Sequence, residues 1–397
     1  METCVIIEVG TSFTRGMVIE PFENGTYKIL AIAEDKTAGV KKGEIINIQN
    51  AGTSVMSVIK QLSEEADTTI RTVNLIYSGG YPQYDLISGT KTIKKGEVIE
   101  ADHIATAEEN AMENELPEGR MLTEVITVDY LLDNEHFVEN PIGMVANSLT
   151  VNRMRLHVDQ NRISSILNIL NDNSIDYQNI YFSALVSALG ATTQQQRKEG
   201  VLVINLGGGC TTWSLYINRI PRHVGGIPIG GDHITNDILY AFKTTNENAE
   251  ILKRTHGSAT IEPAKALKFK QDFTEKIISQ NDLSKVINAR IDETIRIIYD
   301  QIAKAGLLET INTIMLCGKG AALNNLETLV YNIFQTQCFI ANPKIPFHRI
   351  RKDAPTMAYV ALLGAAHCCT KEAIQEEARK KNSSGFFGKL FGRGSNI

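Results

Sequence analysis

Two stretches of the chain share one pattern, in which an apolar run leads through a turn of small residues into a second strand-like run. The apolar runs are β-branched and of buried-strand length, and amphipathic helical patterns follow later. The predicted elements are strands at 5–9 and 16–20 and a helix at 54–66 in the first half, and strands at 201–206 and 214–217 and a helix at 231–242 in the second.

The two hairpin patterns are copies of one another. "VIIEVGTSFTRGMVI" (5–19) aligned with "LVINLGGGCTTWSLY" (202–216) pairs Glu8 with Asn205, Gly10 with Gly207, and Thr14 with Thr211. A repeat on this scale indicates a duplicated architecture. The sequence therefore predicts an α/β protein of two similar lobes with a cleft between them.

The turns of these hairpins are suited to binding phosphate. Gly, Ser and Thr expose backbone N–H groups and hydroxyls without bulky side chains, so anionic oxygens can approach closely. A single glycine-rich turn is equally well explained as an ordinary tight hairpin. The presence of a second such turn favours a clamp that holds a polyphosphate from both sides.

Composition and charge narrow the class of protein. The chain has 397 residues, 43% of them hydrophobic, and a formal net charge of −5, which predicts two principal lobes and no nucleic-acid partner, since nucleic-acid binding calls for a dominant basic face. The six cysteines have no CxxC spacing, and the chain starts with Met1-Glu2-Thr3, so we expect a cytoplasmic protein without a signal peptide. The longest apolar stretches fall short of the roughly 20 residues needed to span a bilayer.

With these motifs the chain resembles the actin-like ATPases and, within them, the FtsA family of bacterial cell-division proteins. "EVGTS" (8–12) and "NLGGGCTT" (205–212) are similar to the two phosphate motifs of the superfamily. "GVKKGEIINI" (39–48) resembles the family pattern G-x-x-K-G-x-I-x-D-I, and "NPIGM" (140–144) and "IPIGGDHITNDI" (227–238) are similar to FtsA in particular. "LCGKGAAL" (316–323) resembles the adenosine motif, with Lys319 in place of its middle glycine.

The resemblance implies a two-lobed actin-like ATPase fold, made of duplicated ribonuclease-H-like domains, with an FtsA-type inserted subdomain. The inserted subdomain would make head-to-tail filament contacts and bind later division proteins. The implied division is subdomain 1A at 1–81 with 160–198 and 351–381, inserted subdomain 1C at 82–159 with a helix near 101–114, subdomain 2A at 199–235 with 307–350, subdomain 2B at 236–306, and a linker and membrane-targeting tail at 382–397.

The same resemblance assigns an ATP site. Phosphate would lie between the two turns, the sugar near the start of the helix at 231–242, and adenine between the helix around 250–258 and the 316–323 turn. The implied ATP-binding residues are Gly10, Thr11, Ser12, Thr14, Arg15, Gly207, Gly208, Gly209, Cys210, Gly230, Gly231, Asp232, Glu250, Lys253, Arg254, Gly318, Gly320 and Ala321. Glu250, Lys253 and Arg254 share one helix face, a pattern that a solvated charged helix also has.

The acidic positions of the two turns differ from the family pattern. Acids there usually orient Mg²⁺ through water, because this hard cation prefers oxygen ligands and keeps much of its hydration shell. Glu8 retains a carboxylate, whereas Asn205 and Thr212 are neutral. Hydrolysis needs a base or a well-oriented acceptor near the γ-phosphate. We therefore expect Glu8 and Asn205 to orient Mg²⁺ or water only weakly, and we assign no catalytic residue. ATP should bind while its hydrolysis is slow or absent.

The end of the chain has the pattern of a membrane anchor. Residues 382–385 predict a short flexible linker after a charged helix. Drawn as a helix, the following residues place large apolar side chains on one face with basic residues beside them, as in the C-terminal anchor of the FtsA family; they are Phe386, Phe387, Lys389, Leu390, Phe391 and Arg393. A disordered tail with incidental aromatic residues is the alternative.

The stretch 279–306 predicts a long amphipathic helix. Its apolar positions are Leu283, Val286, Ile287, Ile291, Ile295 and Ile298, which have helical spacing and indicate core packing. The family resemblance implies that the exposed side receives the C-terminal peptide of the tubulin-like protein FtsZ, with Arg290 and Lys285 as candidate contacts. A solvated charged face explains either residue equally well.

The preferred interpretation is an ATP-binding, actin-like protein that polymerises on the cytoplasmic face of the inner membrane at the division septum. It would anchor FtsZ filaments there through anionic lipid and recruit later division proteins. Three alternatives remain at this stage: a PilM-like pilus-assembly homologue, a sugar or acetate-type kinase using the same cleft, and an inactive nucleotide-binding scaffold.

Overall fold

The computed structural model of the chain describes residues 1–79, 81–271, 274–343 and 356–391, with side chains described up to residue 378. Within this part the strands are β1 Cys4–Val9, β2 Phe13–Pro21, β3 Tyr27–Lys36, β4 Val40–Lys41, β5 Glu44–Ile45, β6 Thr72–Tyr77, β7 Gln83–Thr92, β8 Arg120–Leu132, β9 His136–Val138, β10 Ser148–Asp159, β11 Asp176–Phe182, β12 Val201–Leu206, β13 Thr211–Ile217, β14 Ile220–Ile227, β15 Ala266–Gln271, β16 Thr274–Ser279, β17 Thr313–Cys317 and β18 Cys338–Ile340. The α-helices are α1 Ile48–Ala66, α2 Ala101–Met112, α3 Gln160–Asp172, α4 Ser183–Ala191, α5 Gln194–Glu199, α6 Gly231–Phe242, α7 Asn246–His256, α8 Gln280–Lys304, α9 Leu326–Phe334 and α10 Val360–Phe391.

Two five-stranded sheets have the same topology. The first has the order β3-β2-β1-β6-β11 and the second β14-β13-β12-β17-β18. In each sheet three strands form an antiparallel meander, and two further strands run parallel to the first strand of that meander. We call the halves built on these sheets the first and second lobes. The duplication predicted from the hairpin repeat is confirmed.

Helix α1 illustrates why the elements form where they do. The Asn47 side chain accepts a hydrogen bond from the Asn50 N–H and caps the first turn. Val55, Val58 and Leu62 recur at helical spacing and are fully buried against the first sheet. At the other end Asp67 takes a left-handed conformation with φ of 48° and stops the helix.

The inserted subdomain extends from the first lobe between β6 and α3. Its sheet has the order β7-β10-β8-β9, and α2 packs against β7 and β10. Ile99, Ala107 and Leu149 are fully buried in a small core of its own. The strands and the helix predicted for this insertion are therefore present, and the insertion lies beside the first lobe without interrupting its sheet.

Helix α4 connects the two lobes. One of its faces packs on α10, and another packs on β12, β13 and β17 of the second sheet. Gly190 on α4 and Gly364 on α10 let these helices touch, because a Cβ at either position would overlap a carbonyl oxygen of the other helix. The lobes are thus joined through a tightly packed helix pair.

The backbone at the end of α10 differs from the prediction of a linker. Residues 382–385 are helical, since α10 continues from Val360 to Phe391. The stretch contains no proline; its Ser and Asn residues each cost a helix less than about 1 kcal/mol relative to Ala, and Gly385 costs about 1 kcal/mol. Nothing in residues 382–385 therefore forces the helix to stop.

Candidate functional site

The turns of the two repeated hairpins close in the same way. Gly10 donates its N–H to the Phe13 carbonyl oxygen at 3.1 Å, and Gly207 donates to that of Cys210 at 2.9 Å. A Cβ at Gly10 would lie 2.7 Å from the Phe13 oxygen, and one at Gly207 would lie 2.8 Å from the Cys210 oxygen. Only glycine fits either position, so the repeated glycine seen in the sequence reflects a repeated turn geometry.

The two turns, one from each lobe, contact each other directly. Ser12 Oγ donates to Asp232 Oδ1 at 3.2 Å and so crosses from the first lobe to the second. A Cβ on Gly208 would overlap the Ser12 hydroxyl, and one on Gly209 would overlap Thr11 Oγ1. The small residues of one turn are therefore needed to admit the hydroxyls of the other.

The start of α6 is fixed on the second turn. The N–H groups of Gly231 and Asp232 donate to the carbonyl oxygens of Gly207 and Gly208 at 2.9 and 2.8 Å. A Cβ at Gly230 would lie 2.5 Å from the Gly208 oxygen. This packing holds the positive end of the α6 dipole beside the two turns, which favours an anion there.

Helix α7 lies against α6 through two of its predicted site residues. Lys253 Nζ donates to Thr235 Oγ1 at 2.7 Å and to the Gly231 carbonyl at 3.1 Å, and it pairs with Glu250 at 2.6 Å. Burial opposes ionisation of Glu250, but Lys253, the Thr235 hydroxyl and Arg254 outweigh it and lower its pKa. Arg254 is exposed, so only part of the predicted helix face is engaged.

The 316–323 segment packs against the end of β12, next to the turn of the second hairpin. Gly318 has φ of 81°, and a Cβ there would overlap both the Asn205 side chain and the Leu206 backbone. Gly320 also faces Leu206, with 2.8 Å between an added Cβ and the Leu206 Cβ, and Ala321 is fully buried. These small residues let the adenosine-type turn approach the backbone of β12.

The two neutral positions of the second turn are bonded to α4. Asn205 Nδ2 donates to Ser187 Oγ at 3.0 Å. The hydroxyls of Thr212 and Ser183 are 3.1 Å apart in a buried hydrogen bond. An acid in either place would put a carboxylate against a serine in the interlobe contact, whereas Asn and Thr make neutral hydrogen bonds there.

The acid retained in the first turn is held by neighbours. Glu8 Oε1 accepts from Ser78 Oγ at 3.0 Å, and Glu8 Oε2 lies 3.4 Å from Arg15. Among the described residues no three His, Cys, Asp or Glu side chains group closely enough to hold a metal ion. One carboxylate still fits Mg²⁺, which is often bound by one or two carboxylates together with substrate phosphates and water.

Three other predicted residues lie behind the turns. Arg15 donates to Glu34 at 2.6 Å, and Thr14 is fully buried with its hydroxyl 2.9 Å from that of Thr37. Cys210 is also buried. These side chains pack behind the turns and hold them in place. The Arg15 guanidinium already pairs with Glu8 and Glu34, so it can bind a phosphate only while it also keeps these contacts.

The sequence did not identify Glu34, Ser78, Ser183 or Ser187 as parts of this region. Each is brought to the turns by another element: β3, the end of β6, or α4. The spacing of Ser183 and Ser187, i and i+4 on a helix, was a signal that both face one way. Their partners on the second lobe could be recognised only from the three-dimensional arrangement.

The two candidate contacts for the FtsZ peptide lie on α8. Lys285 is exposed and lies 3.3 Å from Asp282. Arg290 forms a bidentate salt bridge with Asp237 of α6, in which Nε donates to Oδ2 at 2.6 Å and Nη2 donates to Oδ1 at 3.1 Å. Arg290 also pairs with Glu293. Arg290 is thus partly occupied in joining α8 to α6, while Lys285 is more available on the surface.

The predicted anchor side chains lie outside the described residues. They are Phe386, Phe387, Lys389, Leu390, Phe391 and Arg393. Among the residues that the structure describes, none of the helices combines the length and the apolar character of a transmembrane segment.

Two family models match this chain. The model described as "Cell division protein FtsA" matches residues 202–364. The model described as "SHS2 domain inserted in FTSA" matches residues 79–156. The second match coincides with the four-stranded insertion, so the inserted subdomain is an SHS2 domain.

Known proteins and structures agree with these matches. The chain is 26% identical to the cell division protein FtsA of Buchnera aphidicola subsp. Acyrthosiphon pisum over 98% of this chain and 96% of that protein. Among solved structures, the PilM-PilN type IV pilus biogenesis complex matches with a TM-score of 0.63 at 17% identity, covering 92% of this chain and 98% of the matched chain. MreB5 of Spiroplasma citri bound to AMPPNP matches with a TM-score of 0.57 at 13% identity, covering 97% and 99%. The fold is therefore actin-like, and the chain belongs to the FtsA family of cell-division proteins.

Proposed function

We propose that this protein binds ATP with Mg²⁺ in the cleft between its lobes and polymerises on the cytoplasmic face of the inner membrane. The observation that carries the proposal is the meeting of the two glycine and hydroxyl turns, with Ser12 of one lobe on Asp232 of the other. A ligand held by both turns fixes both lobes at once. The AMPPNP bound by the structural relative MreB5 supports the same assignment.

ATP hydrolysis is slow or absent in this proposal. Activation of water beside a γ-phosphate needs an acceptor that positions it, and Asn205 and Thr212 are neutral and already bonded to α4. The same lack of a carboxylate disfavours phosphoryl transfer to an acceptor hydroxyl, as a sugar or acetate-type kinase would require. Phosphate release from purified protein with ATP and Mg²⁺ measures this, and turnover of several molecules per second would contradict it.

Membership of the FtsA family supports the partners in this proposal. The exposed side of α8 around Lys285 and Arg290 would receive the C-terminal peptide of FtsZ. Residues 386–393 would attach the protein to anionic lipid, and the SHS2 insertion would contact the next subunit and later division proteins. Filaments that carry many such tails would then tether FtsZ to the membrane at the septum.

Electron microscopy of lipid monolayers tests the proposal as a whole. The full chain is applied to an anionic lipid monolayer with ATP and Mg²⁺, with and without FtsZ from the same source. We expect filaments that form on lipid in the presence of ATP and that recruit FtsZ. A protein that binds ATP but remains monomeric on lipid would instead be an inactive nucleotide-binding scaffold.

A further inference from the structure

A ladder of alternating charges crosses the first sheet beside the phosphate turns. Glu8 on β1 is the cross-strand partner of Arg15 on β2, and Arg15 is the partner of Glu34 on β3. Directly opposed side chains lie on the same face of a sheet. Arg15 joins them, at 3.4 Å from Glu8 and 2.6 Å from Glu34, and each of the three side chains is at most 10% exposed.

The ladder ends on a residue from the other lobe. Lys319 begins the short 3-10 turn that follows β17 in the second lobe. Its Nζ lies 2.8 Å from Glu34 Oε1 and 3.2 Å from the centre of the Phe13 ring. Lys319 therefore contacts a carboxylate and an aromatic face that both belong to the first lobe.

This contact exists only where the two lobes touch, which is the arrangement called closed here. Opposite charges alternate along the ladder, so removal of Lys319 leaves Glu34 with Arg15 alone and Arg15 shared between two carboxylates. The ammonium finds Glu34 and Phe13 only when the second lobe is against the first. The pair therefore lowers the free energy of the closed arrangement and of no other.

Lys319 is also connected to the second phosphate turn. Its neighbours Gly318 and Gly320 both pack on Leu206, immediately before Gly207. A movement of Lys319 away from Glu34 would thus shift the turn that faces Ser12. Burial and the Arg15 guanidinium lower the pKa of Lys319 to about 8, and the ammonium remains the main form at neutral pH.

We propose that Lys319 is an interlobe positioning residue, whose pairing with Glu34 and Phe13 keeps the cleft closed and retards release of a bound nucleoside triphosphate. The second part of this proposal rests on the proposed ATP binding. The first part, closure of the lobes, does not.

The test uses the full chain with Lys319→Met, Glu34→Gln and the double variant. Methionine keeps an apolar side chain over Phe13 and removes the charge, and glutamine keeps the size of Glu34. Lys268→Met is the matched control, because it removes a lysine from an exposed pair with Glu275. Circular dichroism and the thermal midpoint verify that each variant is folded.

Two measurements are made on each protein. Small-angle X-ray scattering without nucleotide should give a larger radius of gyration for Lys319→Met than for wild type or Lys268→Met. Stopped-flow displacement of a fluorescent ATP analogue should give about tenfold faster release for Lys319→Met and for Glu34→Gln, and no further increase in the double variant, as expected for loss of one charge pair.

The outcomes separate the two proposals. Absence of analogue binding to wild type would contradict the proposed ATP site, while the scattering still tests closure. An unchanged radius of gyration in folded Lys319→Met, or additive effects of the two single substitutions on release, would overturn the role of Lys319.

Discussion

Glu124 is a carboxyl group whose protonation should make stability depend on pH. It lies on β8 of the insertion and accepts a hydrogen bond from the Phe182 N–H at 2.9 Å. Burial raises its pKa from 4.5 to about 8. Between these values the folded state holds a proton that the unfolded state has lost, so the free energy of unfolding must fall as pH rises.

Replacement of Glu124 with Gln removes this dependence, since the amide still accepts from Phe182 and cannot ionise. Because one pKa unit corresponds to about 1.4 kcal/mol, we expect Glu124→Gln to gain roughly 3–4 kcal/mol over wild type on going from about pH 5 to about pH 8. Urea denaturation at both pH values measures it. The exposed Glu118→Gln is the control, and an equal difference at both pH values would disprove the burial of the Glu124 charge.

At the scale of single residues, the sequence predicted positions that obey local rules. The glycines of the two turns were recognisable because their spacing repeats and because only glycine fits such turns. Glu34 was not, since its link to Arg15 depends on the register of β2 against β3 and its link to Lys319 on the closure of the lobes. When the contacts of a residue depend on strand register or on the other lobe, the neighbouring sequence does not indicate its role.

The contact between α4 and α10 gives a prediction at the scale of elements. A Cβ at Gly364 would overlap the Val186 carbonyl oxygen, so Gly364→Ala must push the helices apart, and we expect it to destabilise the protein by at least about 2 kcal/mol. Gly52→Ala is the matched control, because its Cβ on α1 would make an ordinary 3.7 Å contact with Ile169. Gly52→Ala should be neutral or stabilise by up to about 1 kcal/mol. Thermal unfolding of both variants tests this prediction. Equal unfolding midpoints for Gly364→Ala and Gly52→Ala would contradict the close contact between α4 and α10.

Elements with a strong hydrophobic period were predicted well. The helix pattern at 231–242 coincides with α6, and the predicted core positions of α8 are buried or packed against the core. The linker at 382–385 was wrong, because serine and asparagine are compatible with a helix that is already established. Small polar residues thus indicate a possible break but do not impose one.

At the scale of the whole molecule, the internal repeat was enough to predict two lobes of like topology. The repeat could not reveal how the lobes are joined. The sequences of α4 and α10 contain no pattern that shows which helix or strand each of them packs against. Their contact depends on Gly190 and Gly364, which are far apart in the sequence and come together only in the folded protein. The interlobe bonds of Ser183 and Ser187 have the same origin.

Attachment to a membrane should depend on many copies of the tail. Each of its large apolar side chains contributes roughly 1.5–3 kcal/mol if fully buried in lipid, and each basic residue adds about 1 kcal/mol beside anionic lipid. Four glycines at 385, 388, 392 and 394 each oppose helix formation by about 1 kcal/mol relative to alanine. In the proposed attachment a single tail would therefore be a weak anchor, and tails presented together on a filament would bind by effective concentration.

Co-sedimentation with vesicles measures this dependence. Wild type should sediment with vesicles that contain phosphatidylglycerol more than with neutral phosphatidylcholine vesicles. It should also sediment more with ATP than without, because the proposed ATP-dependent polymerisation would multiply the tails. Phe387→Glu and Phe391→Glu should each reduce binding at least about tenfold, since each loses an apolar contact and adds a charge that anionic lipid repels. Phe22→Glu changes a phenylalanine that is 40% exposed on the first lobe and should bind like wild type.

Two outcomes would contradict the prediction. If both tail variants still bind the vesicles, the tail is not the anchor. If the tail variants lose binding but ATP has no effect on wild type, one tail is sufficient.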